Sequence, residues 1–208
     1  MKHTIILTAI ALAAAAGSAS AGVANVRYDT NNLTASAGGP FGGTTHTGAI
    51  TITHNATSTL NGIVIFGVSQ PFTGALASFS ATINLVNGFV TTGSLSTVLT
   101  DGSRYDASIN GGGGRVVFQA GRGFRIDGLT FNGNFSNLVG GTNFGGVNVA
   151  AAVGAGASNY DGSFLLTSFN PDASGVTNQA QFETYIFPTP GSAALLGLAG
   201  LAAARRRR

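Results

Sequence analysis

Ser78-Phe79-Ser80-Ala81-Thr82-Ile83-Asn84-Leu85-Val86 alternates strictly: Phe79, Ala81, Ile83 and Leu85 fall on one face, and Ser80, Thr82 and Asn84 on the other. A period of two is the signature of a half-buried β-strand, because successive side chains point to opposite faces of a sheet. Asn87-Gly88 follows at once, and Phe89-Val90-Thr91-Thr92-Gly93-Ser94-Leu95 resumes the extended pattern. Asn-Gly accepts the positive φ that a tight hairpin demands, so the stretch reads as strand, turn, strand.

The same reading extends outward. Thr47 to His54 sets Ile between Thr residues. Further strands are expected at Val23–Tyr28, Ile63–Val68, Ser94–Thr100, Arg104–Ile109, Arg115–Ala120, Phe124–Phe131, Phe164–Phe169 and Gln181–Phe187. Asn61-Gly62, Asp101-Gly102, Asn110-Gly111, Asp127-Gly128, Asn132-Gly133 and Asp161-Gly162 read as the turns between them. Gly111 to Gly114 reads as a flexible loop, with no Lys-Ser/Thr after it to make a phosphate cradle. Val149 to Ala157 is Ala-rich but broken by Gly154 and Gly156, and reads as loop. Many short strands with regular turn signals predict an all-β domain, an antiparallel β-sandwich or jelly roll. A β-solenoid is the other architecture of this kind, but no repeat of fixed length is present. The fourteen Phe are expected to fill the interior.

Both ends differ from this body. Lys2 precedes an apolar run from Ile5 to Ala16, and Ala19-Ser20-Ala21 is a small-residue cleavage site. That is the build of a secretory signal peptide over residues 1–21, cleaved after Ala21, which implies the Sec export machinery. At the other end, Pro188-Thr189-Pro190-Gly191 leads into an apolar run from Ser192 to Ala204, and Arg205, Arg206, Arg207 and Arg208 follow. A helix over Gly191 to Ala204 would span about 21 Å at 1.5 Å per residue. A bilayer core is about 30 Å thick, so the run is a short membrane anchor carried by Leu195, Leu196, Leu198 and Leu201. The four arginines would stay on the cytoplasmic side as a stop.

These three parts, in this order, resemble the PEP-CTERM sorting tail of bacterial exosortase substrates. That family's pattern is Pro-Glu-Pro, an Ala/Leu/Gly helix and an arginine cluster, and here Thr189 stands in place of the Glu. The resemblance covers residues 188–208 only. It implies export, transient anchoring in the inner membrane, recognition at Pro188, Thr189 and Pro190 by an exosortase-like enzyme, and cleavage nearby. It further implies delivery to the cell envelope, outer surface or extracellular matrix. It carries no molecular function for residues 22–187.

Composition narrows that function. The whole chain carries a net charge of +3, but Lys2 and the terminal arginines supply half of its ten cations. Residues 22–187 hold Arg27, Arg104, Arg115, Arg122 and Arg125 against seven carboxylates, a net charge of −2. Nucleic acid is therefore not an expected partner. With no cysteine the domain must stand on packing and backbone pairing.

Candidate chemistry is sparse. There is no Cys nucleophile and no G-x-S-x-G elbow. His46 and His54 have no evident third metal ligand and read as solvent-facing. Asp101 and Asp106 flank Arg104, and Asp127 follows Arg125, as turn residues and surface ion pairs would; Glu183 is the sole glutamate. Asn170, Asp172 and Ser174 place oxygens at the first, third and fifth positions of a loop with Gly175 sixth, the opening of a calcium loop. Gln181 stands where the closing Glu belongs, so the segment reads as a surface turn with calcium as the weaker option. A sugar-binding face normally exposes aromatics. Here Trp is absent and the tyrosines are Tyr28, Tyr105, Tyr160 and Tyr185. The expectation is a non-enzymatic, cofactor-free surface or matrix protein with a structural or adhesive role. A lectin-like module is the alternative, a secreted hydrolase a remote one, and extracellular polysaccharide a candidate partner.

Overall fold

The computed structural model describes residues 26–111, 113–153 and 160–187. The signal segment, its cleavage residues Ala19 and Ala21, and the whole 188–208 tail lie outside the described residues. So do the two helices expected to flank the domain.

The described chain is all-β and antiparallel. Its strands are β1 (Val26–Ser36), β2 (Gly48–Thr53), β3 (Thr59–Ile65), β4 (Val68–Gln70), β5 (Leu76–Val86), β6 (Phe89–Leu99) and β7 (Arg104–Asn110). There follow β8 (Arg115–Gln119), β9 (Gly123–Ser136), β10 (Asn143–Phe144), β11 (Val147–Asn148), β12 (Tyr160–Phe169) and β13 (Val176–Phe187). Pairing runs β1-β2-β5-β6-β7-β9-β12-β13, and β13 pairs back onto β1 from Val26 to Ser36. The ladder therefore closes on itself as an up-and-down ring. Along the ring the strands follow in chain order, without the crossover of a jelly roll; β3 pairs with residues 26–31 of β1 and carries β4, and β8 bridges β6 and β9. β4, paired only with β3, remains an edge.

Inward side chains meet across the interior. Tyr28 on β1 packs edge-on against Tyr105 on β7 at 6.2 Å between centroids, and Phe79 on β5 meets Phe182 on β13 at 5.2 Å. Such contacts between opposite walls are those of two sheet layers packed face to face. The Tyr28 and Thr97 hydroxyls hydrogen-bond at 3.0 Å, so this buried phenol is satisfied. Outward positions are small and polar: Thr51 and Thr53 on β2, Ser80, Thr82 and Asn84 on β5, Ser108 on β7, Asn132 and Asn134 on β9. This polarity is the reverse of a membrane-spanning barrel, which turns its apolar face outward.

Both ends of the ring are covered. At one, the β10–β11 hairpin inserts Phe144, fully buried, against Tyr28 and Phe135. At the other, the loop before β2 lays Phe41 on Phe124 and Phe169, at 5.0 and 4.8 Å.

The turn at Asn87-Gly88 forms as expected, with φ of 51° and 78°, and Asp101-Gly102 turns between β6 and β7. Asn61-Gly62, Asp127-Gly128, Asn132-Gly133 and Asp161-Gly162 are not turns; they lie inside β3, β9, β9 and β12. The reasons lie in what the neighbouring strands bring against these glycines. Gly128 has φ +71° and sits where β9 exchanges neighbours, pairing with β7 from Thr130 onward and with β8 up to Asp127. That is a bulge, an extra residue that re-aims a strand. Gly133 faces inward, and a Cβ there would stand 2.5 Å from the Tyr105 Oη, so glycine makes room for a ring. The strand expected at Ile63–Val68 is instead a hairpin, β3 and β4, turning at Phe66-Gly67. Val149 to Ala157 reads as loop, with a short helical turn as the weaker option; residues 154–157 lie outside the described residues, and Ala150–Val153 forms one helical turn with Ala152 buried.

Candidate functional site

The hairpin that the alternating stretch builds also carries the most distinctive surface. Val86 and Phe89 flank its turn and are 56% and 53% exposed. Phe89 bridges to Arg115 at the start of β8, and Phe118 further along β8 is 58% exposed. Thr44, Gly88, Phe89, Arg115, Val117 and Phe118 line a cleft of about 290 Å³ over the buried Val116.

Its walls are fixed. The Gly88 amide donates to the His46 carbonyl at 2.8 Å, the Asn87 amide to the Thr47 hydroxyl at 2.9 Å, and the Val116 amide to the Gly88 carbonyl at 2.8 Å. A Cβ on Gly88 would lie 1.9 Å from the Thr44 carbonyl oxygen, so glycine alone permits this approach. Phe118 begins a rigid aromatic run: it stacks on Phe124 at 5.2 Å, and Phe124 meets Phe41.

The charge here is uncompensated. Arg27, Arg104 and Arg125 each pair with a carboxylate. Among the described residues Arg115 and Arg122 have no such partner. Asp127 is the cross-strand neighbour of Arg115, but its Oδ2 is engaged by Arg125 at 2.7 Å. Arg115 shares its face of β8 with Val117, and Phe118 shares the opposite face with Val116, as alternation along a strand requires.

The residues singled out from sequence are scattered. His46 is buried, contrary to the solvent-facing expectation; it packs on Phe41, and its Nδ1 accepts the Gly42 amide at 3.2 Å. His54 lies beyond the far end of β2, a strand about 20 Å long at 3.3 Å per residue. The two therefore do not share an ion. Asp172 Oδ1 accepts from the Ser174 amide at 2.8 Å, the Ser174 hydroxyl at 2.6 Å and the Val176 amide at 3.2 Å. The Ser174 hydroxyl first, then the backbone amides, hold the Asp172 carboxyl below its ordinary range. These bonds engage Asp172 and Ser174 in closing a turn before β13, and no cluster of three His, Asp or Glu exists among the described residues.

Arg104 donates to Asp106 at 2.5 Å beside a shallow depression of about 350 Å³ lined by Ser80, Ser94, Ser96, Ser108 and Asn132. It is larger than the Phe89–Phe118 cleft, and its walls are mainly polar, with Leu95 and Ala107 the apolar residues among them. Asp101 caps its own turn, accepting from the Ser103 amide and hydroxyl.

Glu183 joins a group that sequence spacing did not reveal, because its members are 156 residues apart. Asp29 on β1 faces Glu183 on β13 across the seam that closes the ring. Arg27 lies between them, at 3.0 and 3.5 Å, with its guanidinium 5.2 Å from the centre of the Tyr185 ring. The Tyr185 hydroxyl donates to Glu183 at 2.5 Å. Burial, then that bond, pushes the Tyr185 phenol up to about 12. The contacts that cross the seam are those of Arg27 on β1, paired with Glu183 and set over the Tyr185 ring on β13.

Comparison with protein-family models, with curated proteins and with solved structures finds no match.

Proposed function

We propose that this chain is an exported bacterial surface or extracellular-matrix protein with a structural or adhesive role. In this reading the segment at 1–21 directs Sec export. The tail anchors the chain transiently through Leu195, Leu196, Leu198 and Leu201, with Arg205, Arg206, Arg207 and Arg208 as the stop. An exosortase-like enzyme recognises Pro188, Thr189 and Pro190. The cargo is residues 22–187, whose described part is the all-β, antiparallel domain.

The observation that carries the reading is the pairing of two apolar, machinery-type ends with a body whose interior is occupied by its own rings and whose outer face is small and polar. A ring filled by Tyr28, Tyr105, Phe79 and Phe182 holds a shape rather than a substrate. A face of Ser, Thr and Asn stays hydrated among neighbours. The test is fractionation of the native host. The protein is expected at the surface or in the matrix, and replacing Arg205 to Arg208 with Gln should disturb that sorting. Unchanged cytosolic recovery of both forms would refute it.

Carbohydrate binding is the second reading. Phe89 and Phe118, both exposed at the cleft, favour it, because flat apolar rings suit the apolar face of a sugar.

A further inference from the structure

We propose that the tip of the β3–β4 hairpin, Phe66 with Val68, is a membrane-contacting element that seats the domain on the lipid surface while the tail anchors it. The inference rests on the anchoring reading of residues 188–208 and adds a second point of contact to it.

The tip is unfavourable where it stands. Two turns of this chain share one backbone shape: Phe66-Gly67 has φ of 47° and 80°, and Asn87-Gly88 has φ of 51° and 78°. Both join antiparallel strands across two residues, from Ile65 to Val68 and from Val86 to Phe89. Turns of this shape favour Asn before Gly, and a bulky residue at that positive φ is strained. Phe66 takes the position that Asn87 fills in the other turn. Its ring is 56% exposed, and Val68 beside it is 62% exposed. Neither turn chemistry nor core packing accounts for a phenylalanine here, and an outlier of this kind in an exposed apolar patch points to a contact outside the fold.

Strand register says what the tip meets. Val26, at the start of β1, pairs with Ile65 on one side and with Ile186 on the other. β3 and β13 both run antiparallel to β1, so Phe66 and Phe187 step past the same end of the ring. They stand two strand spacings apart, about 10 Å. From Phe187 to Ser192, where the apolar run begins, is five residue steps, at most about 18 Å of extended chain. With residues 192–204 in a bilayer, the tip is held at the headgroup layer, which is about 5–7 Å deep on each side. A span shorter than the bilayer core draws its flanks inward, which pulls the domain down onto that layer. The hairpin suits it. From Thr30 to Thr100 the chain has no Asp, Glu, Lys or Arg, so the tip enters without a charge to desolvate. A second copy of the chain could also cover Phe66 and Val68. However, β4 offers an edge of three residues ending at Pro71, far below the roughly 800 Å² per partner that a stable dimer buries.

The chain has no tryptophan, so one introduced at the tip reports alone. The full purified chain carrying Phe66→Trp is floated with vesicles of phosphatidylethanolamine and phosphatidylglycerol, with and without brominated acyl chains. Bromine should lower its emission at least about twofold, as for a ring at the lipid–water interface, and added salt should not restore it, since no charge takes part. Phe118→Trp, at the opposite end of the ring beside Phe124, should lose nothing. Val68→Trp repeats the measurement if near-ultraviolet dichroism shows that Phe66→Trp has lost its fold. Phe66→Asn, which restores the favoured turn residue, should keep or raise the melting temperature; a fall would make Phe66 a structural residue and count against the inference. A chain that floats without quenching at either tip position would overturn the hairpin contact and leave the anchoring reading intact. A chain that does not float would remove both. Equal quenching of Phe118→Trp would mean that the domain is not seated by this end. Emission that shifts to the blue with protein concentration in the absence of lipid, in place of quenching, would give the tip to a second copy and refute the membrane contact.

Discussion

Phe144→Ala is the most informative single change to the fold. Phe144 is fully buried at the covered end of the ring, 5.6 Å from the Tyr28 ring and 5.2 Å from the Phe135 ring. Its hairpin cannot easily sink to fill a void. The Thr73 and Gly74 amides both donate to the Gly145 carbonyl, at 3.0 and 3.4 Å, and the Gly145 amide donates to the Ser103 hydroxyl at 3.1 Å. Gly145 itself is tightly placed, since a Cβ there would stand 2.8 Å from Leu99. A buried Phe→Ala costs about 3–5 kcal/mol when the site cannot collapse. For a domain of this size about 2–4 °C accompanies each kcal/mol, so the melting temperature should fall by about 6–20 °C. Urea denaturation, followed by both dichroism and tyrosine fluorescence, should show a lower midpoint with an unchanged slope. A loss below about 1 kcal/mol would mean that the hairpin merely lies over the opening and that the interior is filled by the walls alone.

Gly133→Ala should destabilise by about 1–3 kcal/mol, because the added methyl meets the Tyr105 hydroxyl at 2.5 Å and the Asp106 carbonyl at 2.6 Å; a neutral effect in urea titration would refute the close approach. Burial raises the Tyr28 phenol, so the folded chain keeps that proton after an unfolded tyrosine, with an ordinary value of about 10, has released it. Its contribution is complete below about pH 10 and is lost as pH rises beyond, by about 1.4 kcal/mol per pH unit. Absorbance at the tyrosinate band should therefore rise together with loss of dichroism, and ionisation of every tyrosine in a still-folded chain would contradict it. Asp172 has the opposite sign. Its carboxyl is lowered by the Ser174 hydroxyl and the amides of its turn, so its stabilisation is present above the ordinary carboxylate range and is lost as pH falls through the lowered value. Asp172→Ala should lower the melting temperature at neutral pH and make no difference in strong acid. A melting temperature of the unaltered chain that rises in millimolar calcium would instead restore the calcium reading of this turn.

What was legible from sequence was local. Ser78 to Val86 forms β5, and Asn87-Gly88 turns into β6, because a period of two and a positive-φ pair are properties of adjacent residues. What was not legible depends on distant partners. Nothing near Val26 or Ile186 announces that these residues pair and close the ring. Asn132-Gly133 has turn chemistry, but its glycine serves a tyrosine on another strand. The expectation that phenylalanines fill the interior holds for Phe79, Phe131, Phe144, Phe169 and Phe182 and fails for Phe66, Phe89 and Phe118. Phe118 shows why. It shares the inward side of β8 with the buried Val116, yet it is 58% exposed. Alternation tells which side a residue takes and not where the covered core ends. Tyr28 and Tyr105, two of the four tyrosines, are fully buried at the centre of the core.

The central claim is that the two ends are addresses and that residues 22–187 are the delivered product. Intact-mass and peptide spectrometry of the protein recovered from its own cells tests it most directly. The account predicts a first residue of Gly22 and a last residue near Pro188 to Pro190, in material from the surface or matrix. A soluble chain running unbroken from Met1 to Arg208 would contradict it.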